Sequence, residues 1–225
     1  MTRHVTSATM SPDDGGEDVR IAFDIDNVLG DIIASARAVL ARDLGVEQDA
    51  IVLTNVYWQP FTHEDPVIAS ALTLDHAFWD RSDVLRGSPP LPRAVEAVTM
   101  AHESGNLAGY VTRRPETVRG ITQQWLDAHG FPPAPLRHVG TVEVDTKYDT
   151  CKSTACREIG ATHLIDDHAT ELSTALAAGI EVVVVDAPIG REARMRALED
   201  NPEAALVDDV HDAVVYILTG AGTAA

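Results

Sequence analysis

The stretch "VRIAFDIDNVLGD", residues 19–31, decides the fold. Its opening is mostly apolar, as expected of a strand entering a core. Asp24 and Asp26 then stand two apart at the end of that run. Side chains at i and i+2 of a strand share a face. Two carboxylates held together repel unless a cation or a proton lies between them. The stretch therefore reads as a buried strand that delivers a pair of acids to a cation.

The rest of the chain bounds the classes of answer. Its 225 residues, 45% apolar and 23% charged, suit one α/β domain carrying an insertion. The formal net charge of −18 argues against a nucleic-acid polymer or an anionic membrane as partner, since both require basic stripes. Solvated acidic faces account for most of that charge. Cys151 and Cys156 lack the second ligand pair of a zinc site and read as reduced thiols. No apolar run reaches the ~18 residues of a membrane span. Residues 1–17 are polar, with no signal-peptide core, and read as a leader. The expected setting is cytoplasmic, as a monomer or homodimer.

Five segments read as buried strands: 20–25, 107–112, 136–142, 162–166 and 180–186. The last is a run of valines, the pattern of a parallel strand covered on both faces. Helical patterns fall at about 28–43, 91–104, 115–129, 152–160, 168–178, 190–199 and 208–219. Gly130, Gly160 and Gly179 follow three of them, where helices stop. The alternation predicts a doubly wound parallel sheet, a Rossmann-like core. Residues 45–90 break the rhythm and hold five of the eleven aromatics: Tyr57, Trp58, Phe61, Phe78 and Trp79. We read them as a small, mostly helical cap over the carboxyl edge of the sheet, where such folds bind ligands. The core then comprises 18–44 and 91–225. Most cap aromatics are expected to pack the cap's own core, with Trp58 and Trp79 as candidates to face a substrate.

Parallel strands bring their carboxyl ends to one edge. That edge collects Asp24 and Asp26, then Thr112, Arg113 and Arg114, then Lys152 at a helix start, then Asp166 and Asp167. The set suits phosphoryl transfer. An ionised carboxylate can attack phosphorus. Mg2+ prefers oxygen ligands and lets anions approach one another. A hydroxyl and an ammonium can bind phosphoryl oxygens. A second acid can protonate a leaving group and then activate water. Lys147 is a rival for the lysine role, but Lys152 begins the amphipathic helix that leads into the acidic strand end. Arg113 and Arg114 could reach a phosphate or a carboxylate on the substrate. His63, His76, His163 and His168 show no metal-like spacing.

Receiver domains combine similar groups, with the acidic pair first. Here the order is Asp-x-Asp, Thr, Lys, Asp-Asp. That order, with the inserted cap, resembles the haloacid dehalogenase superfamily of phosphatases. "FDIDNV", "YVT", "CK" and "LIDD" look like its four motifs, over about residues 19–186. Each motif alone is weak, but four in order at strand ends and helix starts are specific together. The resemblance implies that Asp24 is the nucleophile and a Mg2+ ligand. It implies Asp26 as general acid/base, with its carbonyl on the metal. Thr112, Arg113 and Lys152 would hold the phosphoryl group. Asp166 would ligate Mg2+, with Asp167 supporting it. True dehalogenases lack the second Asp, so Asp26 favours a phosphatase acting on a small phosphorylated substrate. "FDIDNVLGD", "VTRRPE" and "IGATHLIDD" look most like the deoxyribonucleotidase-type group, which makes a nucleoside monophosphate one candidate. A phosphomutase, or a phospho-ligand-binding module without catalysis, are the alternatives. A phosphonatase would need a cap lysine, and residues 45–90 contain none.

Overall fold

The computed structural model describes residues 18–56, 59–140, 152–168 and 170–220. Residues 1–17, read above as a leader, and Tyr57, Trp58, Lys147 and Cys151 lie outside them. In chain order the elements begin with β1 (Ile21–Phe23) and α1 (Ile32–Leu44). The insertion then carries β2 (Val52–Leu53), β3 (Phe61–Thr62), α2 (Pro66–Ala71), α3 (His76–Trp79) and α4 (Ser82–Gly87). After it come α5 (Ala94–Glu103), β4 (Leu107–Thr112), α6 (Arg119–Ala128), β5 (Leu136–His138), α7 (Lys152–Glu158) and β6 (His163–Asp166). The chain closes with α8 (Thr170–Ala177), β7 (Glu181–Val185), α9 (Arg191–Asp200), β8 (Ala205–Val207) and α10 (Val210–Thr219).

Six strands form one parallel sheet in the order β5-β4-β1-β6-β7-β8. The order reverses at β1, the place where α/β sheets open a crevice for ligands. Side chains of each strand alternate between two cores. Ile21, Phe23, Tyr110, Ile165, Val183 and Val185 meet α5, α6 and α10 on one face. Ala22, Val111, Leu164, Val182 and Val184 meet α7 and α8 on the other. Both faces are covered, so the strands are apolar throughout, as the valine run implied. β8 adds a sixth strand to the five expected. Its three residues, Ala-Leu-Val, are too few to show a period against the acidic turn that follows.

The insertion has its own core. Ile51, Phe61, Leu72, Phe78, Val84 and Leu85 pack with Ile32, Ile33, Ala36, Val39 and Leu40 of α1. α1 therefore packs with the insertion rather than on the sheet. It starts at Asp31, whose side chain accepts a hydrogen bond from the Ala34 N–H at 2.8 Å. It stops at Gly45 in the left-handed region, φ 66°. The insertion's regular elements are the helices α2, α3 and α4 and the short antiparallel β2–β3 pair.

One irregularity in the sheet bears on the site. Ile21 is level with Leu107, but Ala22 is level with Gly109, so β4 carries an extra residue. A Cβ at Gly109 would lie 2.3 Å from the Pro135 carbonyl oxygen, which also accepts from the Tyr110 N–H at 2.8 Å. Only glycine fits there, and the slip sets which face Thr112 occupies. Gly109→Ala must move backbone rather than a side chain. We expect it to cost about 3 kcal/mol, lowering the melting temperature by about 6–12 °C at this chain length. Calorimetry of the purified variant checks it, and an unchanged melting temperature would contradict this close approach.

Candidate active site

The ladder fixes the site. Phe23 is level with Tyr110 on one side and Ile165 on the other. The residues just beyond, Asp24 and Asp26 from β1, Thr112 from β4 and Asp166–Asp167 from β6, therefore emerge together. The Asp24 N–H donates to the Ile165 carbonyl at 3.0 Å, holding the end of β1 against β6. Lys152 arrives from the start of α7. Its Nζ lies 2.8 Å from Asp24 Oδ2 and 2.7 Å from Asp166 Oδ2. All three side chains are buried, Lys152 with 2% of its side chain exposed. The other Asp166 oxygen accepts from the His168 N–H at 2.9 Å.

Asp24, Asp166 and Asp167 form a buried cluster whose carboxylate oxygens can lie within 4.8 Å of one another. One ammonium faces three carboxylates. Burial pushes the Asp24 carboxyl well above its ordinary pKa; Lys152 opposes the rise, and Asp166, Asp167 and Asp26 add to it. Asp167 is pushed up to about 7, by burial first and then by Asp166, against Lys152, Asn27 and Arg194. A second acidic group, Asp209, His211 and Asp212, stands elsewhere. The Arg93 guanidinium already reaches all three of its members, so that group has its own cation.

Asn27 and Arg194, two residues the sequence did not single out, hold the acids in place. Asn27 adopts φ 59°, a conformation Asn tolerates better than most residues. Its N–H donates to the Gly30 carbonyl at 2.8 Å, and its Nδ2 donates to Asp167 Oδ2 at 3.3 Å. Arg194 of α9 is buried and donates to the carbonyls of Asp167 (3.1 Å), Ile189 (3.2 Å) and Ala187 (2.6 Å). The Asp-Asn turn chemistry was a usable signal for the first. Nothing local marks Arg194.

Thr112 is fully buried at the end of β4, and its Oγ1 accepts from the Arg114 N–H at 3.2 Å. Of the two neighbouring arginines, Arg113 is exposed and Arg114 is buried. Arg114, a candidate to reach a phosphate or a carboxylate on the substrate, donates from its Nε and Nη2 to the two oxygens of Asp26, at 3.0 and 2.7 Å. That commitment leaves the Arg114 fork turned to the protein. Trp79 is half-buried, edge-on to Phe78 at 5.6 Å and packed against the insertion's core. Its contacts are with the insertion's own core, and Trp58 lies outside the described residues. Among the described residues no helix is long and apolar enough to cross a membrane.

No family model and no curated protein matches the chain. Solved structures do. A haloacid dehalogenase (HAD) family hydrolase from Deinococcus radiodurans R1, with bound phosphate and sodium, superposes with a TM-score of 0.58 at 16% identity, over 89% of this chain and 95% of that one. The D,D-heptose 1,7-bisphosphate phosphatase of B. bronchiseptica, complexed with magnesium and phosphate, gives 0.53 at 13% identity, over 90% and 99%. The L-2-haloacid dehalogenase of Xanthobacter autotrophicus gives 0.56 at 13% identity, over 90% and 99%. At such identities the likeness is one of fold: the chain has the Rossmann-like HAD fold. Two chemistries share that fold here, so the reaction has to be argued from the residues.

The raised carboxyls fix a pH dependence. Asp167 keeps its proton up to about pH 7 in the folded chain, against an ordinary value of 3.8. Between those values the folded state binds more protons than the unfolded one, so this contribution to stability falls as pH rises through the window. In chelator, thermal melts from pH 4 to 8 should show that loss, and Asp167→Asn should flatten it. Parallel profiles for the two proteins would refute the assignment.

Proposed function

We propose that the chain is a Mg2+-dependent phosphomonoester hydrolase that works through an aspartyl phosphate. The observation that carries the reading is the Asp24 carboxylate, held beside the Lys152 ammonium and the acids of β6, with a second carboxylate, Asp26, two residues on. The donor set fits a hard divalent cation: three buried carboxylates, oxygen only, balanced by one lysine. Asp24 and Asp166 would hold the ion, with Asp167 behind them. When bound, Mg2+ would offset the charge that keeps a phosphoryl dianion away from these acids.

On this reading an Asp24 oxygen attacks phosphorus and forms an O–P bond. The bond from phosphorus to the ester oxygen breaks, and its electron pair leaves with that oxygen, which takes a proton from Asp26. Lys152 and Thr112 bind the phosphoryl oxygens. Water then attacks the aspartyl phosphate and gives a proton to Asp26. The Asp24–P bond breaks, and its pair returns to the carboxylate. The net change is phosphomonoester plus water to alcohol plus phosphate. The substrate class is a small phosphorylated metabolite. A nucleoside monophosphate belongs in the panel to be tested, although the packing of Trp79 favours a structural role for one of the two indoles that reading would use.

Phosphate release from a panel of phosphorylated metabolites, with Mg2+ present, tests the reading. Asp24→Asn should lower turnover by several orders of magnitude at unchanged circular dichroism, because an amide cannot form the acyl phosphate. Near-full activity in that variant would remove Asp24 from the role.

Chelator should stop turnover, Mg2+ should restore it, and Ca2+ should inhibit through its larger, looser shell. Full activity in excess chelator would reject the metal-dependent mechanism.

A further inference from the structure

Arg114 is an unusual expense at the mouth of a site. A buried guanidinium left without partners for its donors is strongly destabilising. Here its side chain is 2% exposed, and its partners are specific. Nε and Nη2 form the two-bond fork to Asp26, and Nη1 donates to Thr122 Oγ1 on α6 at 3.3 Å. Its Cζ lies 6.0 Å from the centre of the Trp125 ring. That ring is itself fixed: it stacks on Phe131 at 5.2 Å, and its Nε1 donates to the Ser88 carbonyl at 2.7 Å. Trp125 also meets the turn that carries Asp26, for a Cβ at Gly30 would fall 2.9 Å from Trp125 Cζ2. Two rigid contacts from α6 thus converge on the segment 26–30.

The two ends of this arrangement differ in exposure. Arg114 is sealed inside, while the Asp26 side chain keeps 28% of its surface open. A carboxylate has about four lone-pair sites. The fork takes one on each oxygen and fixes the plane of the carboxylate, leaving the rest available at the open side. A bidentate Arg–carboxylate pair adds geometric specificity that a single contact cannot.

We propose that Arg114 is a positioning residue: it sets the orientation of Asp26 from which that carboxylate exchanges a proton with the leaving group. The inference rests on the phosphatase reading above and goes beyond it, because it assigns α6, through Thr122 and Trp125, to the control of one step. Arg114 touches no reacting atom in this role. It acts only through Asp26, so its effect depends on whether the leaving group needs a proton.

The experiment compares two substrates by kcat/KM, which reports on steps up to leaving-group departure. β-Glycerophosphate expels an alkoxide and needs the proton, whereas p-nitrophenyl phosphate expels a stabilised phenolate and does not. Arg114→Met should lower the alkyl-to-aryl ratio of kcat/KM by about 10²-fold or more, the usual worth of general acid catalysis. Arg114→Lys should recover little of it, because an ammonium cannot reproduce the fork. Should Arg114→Met fold poorly, Thr122→Val, which removes the Nη1 partner together with the hydroxyl's bond to the Val118 carbonyl within α6, should move the ratio the same way by a smaller factor. A purely structural pair would lower both substrates alike and leave the ratio unmoved, which would overturn the proposal while the phosphatase reading stands. A wild-type chain inactive on both substrates would overturn the two together.

Discussion

The structure turns on one ammonium between two carboxylates. Parallel strands force the carboxyl ends of β1 and β6 to the same edge, because the Phe23–Ile165 register leaves no other place for Asp24 and Asp166. The two acids are thereby brought together where water cannot screen them, which is costly. Lys152, with 2.8 and 2.7 Å contacts to the pair, offsets that cost and ties α7 to both strands. Such a cluster is poor evidence of stability, since apolar residues of similar volume would often hold a core as well. On the phosphatase reading it is better understood as strain retained for chemistry, the usual reason a fold departs locally from its own rules.

The remainder of the edge follows from that tie. The turn after β1 must bend sharply enough to bring Asn27 back to Asp167, and it does so with a non-glycine residue in the left-handed region. Arg194 holds the Asp167 carbonyl from outside. Arg114 holds the Asp26 carboxylate from the opposite side of the site. Each acid thus has a fixed partner: Lys152 for Asp24 and Asp166, Asn27 for Asp167, Arg114 for Asp26. Fixed partners keep charged groups oriented without solvent reorganisation, which is the property electrostatic catalysis requires.

Much of this was legible in the sequence, and the gaps have physical causes. A strand buried on both faces writes itself as a continuous apolar run, so 107–112 and the valines of β7 were readable almost to the residue. The acids were readable because a carboxylate at the end of such a run has no packing reason to be there. β8 was not, since three residues carry no period. α1 shows an apolar face in sequence, but periodicity says nothing of what covers it, and the cover proved to be the insertion. The arginine pair shows the same limit at single-residue scale. Adjacent residues leaving a strand point to opposite sides. Arg113 lies exposed and Arg114 buried, and only the fold decides which of the two turns inward.

The insertion is where those partial readings meet. It is anchored to the sheet side at Ile189, which shares its apolar cluster, and at Asn55, whose Oδ1 accepts from the Arg191 N–H at 3.2 Å. Both anchors adjoin the loop that Arg194 ties to Asp167. From the same insertion, burial raises the pKa of the Asp80 carboxyl; His76 opposes the rise, Asp26 adds to it and Arg114 opposes it, in that order of effect. The edge of the sheet thus faces an acid above as well as acids below. A phosphoryl dianion entering such a place meets repulsion from both layers, and Lys152 is already committed to two carboxylates. On the phosphatase reading, the charge that admits the substrate has to come largely from the bound cation. On that reading the protein's own contribution is to hold Asp24, Asp166 and Asp167 in fixed positions for it and to keep Asp26 oriented beside them.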